Sequence, residues 1–542
     1  MSKRVLPAVA ALIMGALCAA SPAHAEWLRA ETEHFIVYGD TSERNIRAYA
    51  EKVERFDALL RTYYPVPIDH EIPKLELYMA NDAADLRRAE PDVSRSVLGF
   101  YSPNEGRIFA VANVESVMSD DVIFHEYAHH FMFQMASTAY PAWFVEGFAE
   151  YYATMRIRDG HYQIGRHSPG RMNSLNRPAN SWAPMEDVLK WRVSSNGRFR
   201  GSDYYAVSWA LTHYMLSDPA RTRQLGAYLA AVSRGADPVE ALTGTIDRTP
   251  MQLRDDLRIY LTGEIPFLTP QIELPQPQVT VSRMSPAEGR LAWLDLRLGR
   301  DDPNAPEPRP EQREAETDAA FATRQEEVRT EFAEARRTLI RDALAAAAER
   351  PDDPASLKVK ARAQRLSGDP AAAVATLEPL TRPDSEDGDA LRYAAEAYLD
   401  MAAKLEGGER LEQIRQARSM LAQSLDIDPL NFLTYLDVDR MRQGIAGYPT
   451  ANDMATLEAA VTLAPQSFDG RLRYARVLMS NNEPDRAVAI LYPVANSPHG
   501  GSERAEGRRL MAQARAQAGL APSNEPASEP APGDGEDEAS GS

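Results

Sequence analysis

Residues 124–133 read FHEYAHHFMF, a run of apolar and aromatic side chains broken by three imidazoles and one carboxylate. Val122 and Ile123 extend the apolar character upstream, so the segment is expected as a buried helix. An unpaired carboxylate or imidazolium is costly in such a place, and a metal ion removes that cost. His125 and His129 are four residues apart, so on a helix both rings project from one face and can bind one ion. Glu126 lies about 100° around from His125, placed to address a water on that ion without coordinating it. His130 points about 100° away from His129 and is expected as a packed or hydrogen-bonded residue.

A catalytic zinc usually takes three protein ligands and leaves the fourth position to water. A third histidine at the metzincin spacing is excluded, because Met132 stands where that pattern wants Gly and Met135 where it wants His. The better candidate is in PAWFVEGFAEYYA, where Glu146 follows His129 after 16 intervening residues on a separate expected helix. Glu150, four further on, would share its face and accept a hydrogen bond from the free ring nitrogen of a liganding histidine. Trp143, Phe144, Val145, Phe148 and Ala149 leave little room for a solvated face, and Gly147 in mid-helix implies close packing. Nitrogen and oxygen ligands of this kind favour one Zn2+ ion. His161 and His167 flank an expected surface hairpin and His213 lies in an apolar helix; none is assigned to metal.

HEYAH followed by WFVEGFAEYY resembles the gluzincin zinc metallopeptidases of the peptidase MA-like superfamily, in particular the aminopeptidase branch with W-x-x-E-G-x-A after HExxH. The resemblance covers residues 30–264, with its specific motifs at 125–150 and 203–211. It implies an α+β, thermolysin-like domain with a small mixed sheet and a helical active-site core. It further implies zinc on His125, His129 and Glu146, Glu126 as general base, and Glu150 behind the ligands. In that branch a tyrosine ahead of the next long helix donates to the developing oxyanion, and Y-x-x-[GS]-x-A-L fits Tyr205 to Leu211. Adjacent Tyr204 is the alternative.

The opening 25 residues have a basic start at Lys3 and Arg4, an apolar core from Val5 to Ala20, and Ala23 and Ala25 around His24. That is a secretory signal, and its removal takes away the lone Cys18. No later segment offers the roughly 18 apolar residues of a membrane span. A periplasmic or secreted bacterial protein is expected, without a transmembrane anchor. A net charge of -19 and the lack of a long basic run argue against nucleic acid as a partner.

Five parts are expected: the signal (1–25), a metallopeptidase-like domain (26–264), a proline-rich connector with one short helix (265–316), helical repeats (317–520) and a disordered acidic tail (521–542). Within the second part, HFIVYG (34–39) and KLELYM (74–79) read as strands around an amphipathic helix bearing Ile46, Tyr49, Val53, Phe56 and Leu60. VLGFY (97–101) and RIFAVA (107–112) read as a hairpin. In the connector, Ser285, Pro286 and Glu288 form a helix start. In the repeats, Ala373 with Leu377, Ala417 with Leu421, Leu457 with Ala460, and Ala487 with Leu491 and Val494 recur. Pro429, Pro465 and Pro498 follow at separations of 36 and 33 residues, which resembles the tetratricopeptide period of about 34. Residues 409–416 and 444–450 are insertions against that pattern.

Two functions fit. One is an exported zinc endopeptidase acting on peptide or protein substrates, its repeats binding a protein partner; the other is an inactive repeat scaffold with a relic peptidase domain. The G-x-M-E-N segment with which the resembling aminopeptidases hold a free amine is missing, so internal cleavage is expected. The sequence leaves the oligomeric state open.

Overall fold

The computed structural model describes residues 26–520 except 66–69, 95–96, 104–105, 116–118, 136–139, 159–160, 179–180, 191–200, 302, 305–315 and 498–501. The expected signal, the acidic tail and Pro498 therefore lie outside the described residues. The chain is mostly helical around a small mixed sheet. No described helix is long and apolar enough to cross a membrane.

Strands β1 (Trp27–Glu31) and β2 (Phe35–Asp40) pair antiparallel, and helix α1 (Glu43–Tyr63) crosses over to β3 (Leu75–Ala80), parallel to β2. Helix α2 (Ala83–Ala89) leads to β4 (Gly99–Ser102) and β5 (Phe109–Asn113), which pair antiparallel, β5 lying parallel to β3. Next come α3 (Ser119–Met135), α4 (Ala142–Ala153) and a hairpin of β6 (Arg156–Arg158) and β7 (His161–Gln163). The helices α5 (Pro169–Leu175), α6 (Met185–Lys190), α7 (Gly201–Leu216), α8 (Pro219–Val232), α9 (Pro238–Ile246) and α10 (Pro250–Thr262) follow. The chain then returns to the sheet as β8 (Thr280–Arg283), antiparallel to β1. The sheet order is β4-β5-β3-β2-β1-β8.

Burial alternates along β1 and β2, as a strand with one face in the core requires. On that face Leu28, Ala30, Phe35, Val37, Leu75 and Leu77 meet Ile46, Tyr49, Val53, Phe56 and Leu60 of α1, the residues whose spacing identified the helix. Ser42 caps α1 by accepting from the Asn45 amide. β2 and β3 begin one residue later than expected; β1, β8 and α2 have no counterpart in the expected strand and helix set.

The segment 265–316 is more than a connector. Its helix α11 (Pro286–Leu298) starts with the expected capping box of Ser285 and Glu288. One side of α11 sends Trp293 and Leu296 into the second face of the sheet, beside Tyr78, Phe109, Val111 and Leu86. The other side sends Ala287, Leu291 and Leu298 against Leu339, Ala343, Val359 and Leu366 of the first repeat helices. Arg107 donates to Glu76 of β3 at 2.6 Å and to Asp295 of α11 at 2.8 Å, and Arg362 reaches Asp295 from the repeats at 2.6 Å. Burial opposes ionisation of Asp295, but Arg362 and Arg107 outweigh it and hold its pKa down at about 2.

The repeats run as α12 (Asp318–Ala347), α13 (Pro354–Leu366), α14 (Pro370–Leu377), α15 (Gly388–Ala402), α16 (Gly407–Ile427), α17 (Phe432–Arg442), α18 (Ala451–Leu463), α19 (Phe468–Ser480), α20 (Pro484–Ala495) and α21 (Ser502–Gln517). Ala373 and Leu377, Ala417 and Leu421, Leu457 and Ala460, Ala487 and Leu491 fall on α14, α16, α18 and α20, and every one is buried. The expected register therefore marks the second helix of each pair. α13 and α15 begin 34 residues apart. Residues 409–416 lengthen α16 to 21 residues, and 444–450 form the loop into α18.

Because α11 belongs to two cores, a protease site introduced within 305–315 is expected to give two fragments that still co-elute on size exclusion and part only in denaturant. Each buried leucine of the shared face contributes about 1.5–3 kcal/mol to that association. Fragments that separate in native buffer would show that α11 does not join the two parts.

Candidate metal centre

Helix α3 crosses beneath the sheet and is tied to α1 from behind: the Tyr127 hydroxyl donates to the buried Asp57 carboxylate, which also receives Arg61 at 2.7 Å. This pairing turns the opposite side of α3, carrying His125 and His129, towards α4. The two Nε2 atoms lie 3.1 Å apart, and each is 3.6 Å from Glu146 Oε2. A circle through three points with these separations has a radius of about 2.0 Å, which matches zinc bond lengths of about 2.0–2.2 Å to imidazole and carboxylate. All three residues are buried, and they form a group able to hold a metal ion. The expected ligand set is thus brought together with a spacing and donor chemistry that fit zinc.

Glu126 is buried beside them, and its charge acts on His125. Glu150 Oε1 lies 3.4 Å from His125 Nδ1, the ring nitrogen turned away from the ion position. Burial opposes protonation of His125, but the contact with Glu146 and the charges of Glu150, Glu126 and Glu146 outweigh it and raise its pKa to about 9. The centre is built to attract positive charge.

Arg171 on α5 joins the centre without a sequence motif to mark it. Its guanidinium grips Glu150 with two hydrogen bonds, Nε to Oε2 at 2.9 Å and a terminal nitrogen to Oε1 at 2.7 Å. Its other side lies over the Tyr205 ring, 5.1 Å from the centroid. Tyr204 instead is wholly buried within the main core. Tyr205 lies against the guanidinium that holds Glu150. The signal for Arg171 was faint: a single arginine after Ser168 and Pro169, in a short helix without periodicity.

Gly147 explains how α7 reaches the centre. A Cβ there would stand 2.1 Å from Thr212 Oγ1 and 2.4 Å from the Ser208 carbonyl oxygen, so α4 and α7 touch backbone to backbone. His130 is buried, shares a hydrogen bond of 3.1 Å with the Tyr101 hydroxyl of β4, and is kept neutral by burial, with Arg61 adding to the effect. His213 bridges Tyr260 and the Gly165 carbonyl. Neither belongs to the ligand group.

A family model described as a protein of unknown function, DUF1570, matches residues 120–240. That span runs from the first turn of α3 into α9 and contains every residue of the centre. No curated protein matches. Among solved structures, a thermophilic TPR protein from Thermus thermophilus is similar at 20% identity, covering 34% of this chain and 94% of that one, with a TM-score of 0.30.

Two predictions follow the geometry. A metal ion bound through His125 must displace the proton that this residue carries below about pH 9, so zinc affinity, read by competition with a chromophoric chelator, is expected to rise as the pH is raised towards that value. An affinity that does not change between about pH 6 and 9 would remove His125 from the ligand set. Gly147→Ala should lower the unfolding free energy by about 1–3 kcal/mol through overpacking, read by denaturant titration. Unchanged stability would mean that α4 and α7 part freely.

Proposed function

We propose that the protein is an exported zinc-dependent endopeptidase with a gluzincin, thermolysin-like catalytic domain and a tetratricopeptide-like array that binds the protein to be cut. The observation that carries this reading is the triangle of His125, His129 and Glu146 with Glu126 buried beside it. A zinc ion held there supplies Lewis acidity and acidifies water near neutrality. Glu126 accepts the proton as water attacks the scissile carbonyl and passes it to the leaving amine. Tyr205 donates its phenolic hydrogen to the carbonyl oxygen as charge develops on it. Glu150, 3.4 Å from Nδ1, acts by its charge on the far side of the His125 ring, the side opposite the Nε2 that faces the ion position.

Substrate is taken along β4. This strand ends the sheet and lies against α3, where Gly99 leaves room for Val122. An extended peptide adding to its outer edge gains main-chain hydrogen bonds on both sides of the cut and needs no free terminus. The scaffold reading gives the buried ligand group no task.

The test is digestion of an unstructured protein by the purified full chain, with and without chelator, read by mass spectrometry. Internal cuts from the earliest times that zinc restores are expected. Stepwise loss of single N-terminal residues would defeat the endopeptidase assignment, and no hydrolysis by the zinc-loaded chain would leave the scaffold reading. Glu126→Gln should retain zinc while losing about 10²–10⁴-fold in kcat. His129→Ala and Glu146→Ala should lose zinc as well.

A further inference from the structure

We infer that Arg171 is the positioning residue of the centre, setting the geometry of the ligand His125 and of Tyr205 at once. The inference rests on the zinc reading above and deepens it. Glu150 is buried and Arg171 nearly so, with 6% and 12% of their side chains exposed, and they meet in a two-bond fork. Such a fork fixes the plane of a carboxylate as well as its position. The oxygen that receives the guanidinium at 2.7 Å is the same Oε1 that faces His125 Nδ1 at 3.4 Å. Whatever holds this oxygen holds the imidazole behind the ion.

Charge leads to the same residue. Glu126, Glu146 and Glu150 bring three carboxylates into one buried site, and a divalent ion would cancel two of their charges. Arg171 supplies the remaining positive charge, so the loaded centre would be balanced in net charge. The third observation is the ring of Tyr205 against the guanidinium. A cation held over an aromatic face orients the ring, and here that cation is already fixed by Glu150. Arg171 therefore joins the ion side of the centre to the oxyanion side, though it touches neither ion nor substrate.

The experiment compares zinc affinity, by competition with a chromophoric chelator, across the wild type, Arg171→Gln, Glu150→Gln and the double variant, all as full chains. Arg171→Gln is expected to weaken zinc binding by about 10–100-fold, as outer-shell changes do. The double variant should be no weaker than the worse single variant, because both changes break one link. At saturating zinc, Arg171→Gln should lower kcat on a peptide while leaving KM unchanged. Arg171→Lys, which restores charge without the fork, should recover part of the affinity and keeps the test valid if the Gln variant folds poorly. Unchanged zinc affinity in Arg171→Gln, or additive losses in the double variant, would overturn the inference. A wild type that binds no zinc would instead sink the zinc reading on which it rests.

Discussion

Three carboxylates and two imidazoles converge on one point inside an apolar helical core, and much of the front domain's design serves to make that tolerable. Each of these groups left uncompensated would be expensive to bury. Part of the compensation comes from Arg171 on α5, and on the proposed reading the rest comes from a metal ion that the triangle could hold. It also depends on strict placement: Glu146 and Glu150 sit one helical turn apart on α4 so that one reaches the ion position and the other the back of His125. The backbone contact at Gly147 then brings α7, with Tyr205, alongside. Packing and electrostatics thus impose the same arrangement.

The second constraint is the double use of α11. A helix with one apolar stripe joins one core, whereas α11 presents Trp293 and Leu296 to the sheet and Leu291 and Leu298 to the repeats. The ion-pair chain Glu76, Arg107, Asp295, Arg362 runs through the same joint. Partly buried pairs of this kind add little net stability but penalise misplacement of the partners, which favours one orientation of the two parts.

The convergence of His125, His129 and Glu146 was legible in the sequence because it rests on local spacing. His125 and His129 are one turn apart, Glu146 and Glu150 are one turn apart, and the surrounding residues are too apolar to be anything but core. The buried pairs on α14, α16, α18 and α20 were legible for the same reason, since a repeat period is a property of the chain alone. What the sequence does not display depends on contacts distant in the chain. β8 is exposed along most of its length and pairs with β1 across some 250 residues, so no alternation marks it. α11 displayed its capping box plainly, but its second apolar face is visible only once the sheet and the repeats are both in place. Arg171 is a lone arginine whose meaning comes from Glu150 and Tyr205, which lie on two other helices.

The same logic bears on what the repeats do. They touch the front domain at more than the α11 joint. Ile108, just ahead of β5, packs into both the main core and the core of the last repeats. Gln134, near the end of α3, donates to the Leu463 carbonyl at 3.2 Å, and Tyr492 donates to the Val232 carbonyl at 2.9 Å. An array fastened at α11, at α3 and at the end of α8 is a fixed wall rather than a tethered arm. If the array binds the protein to be cut, as proposed, its effect is not merely to raise the local concentration of substrate. A fixed wall also restricts which segment of a bound protein reaches β4, because the distance from array to edge strand is set by folding. Selectivity would then reside in that distance more than in the side chains around the scissile bond.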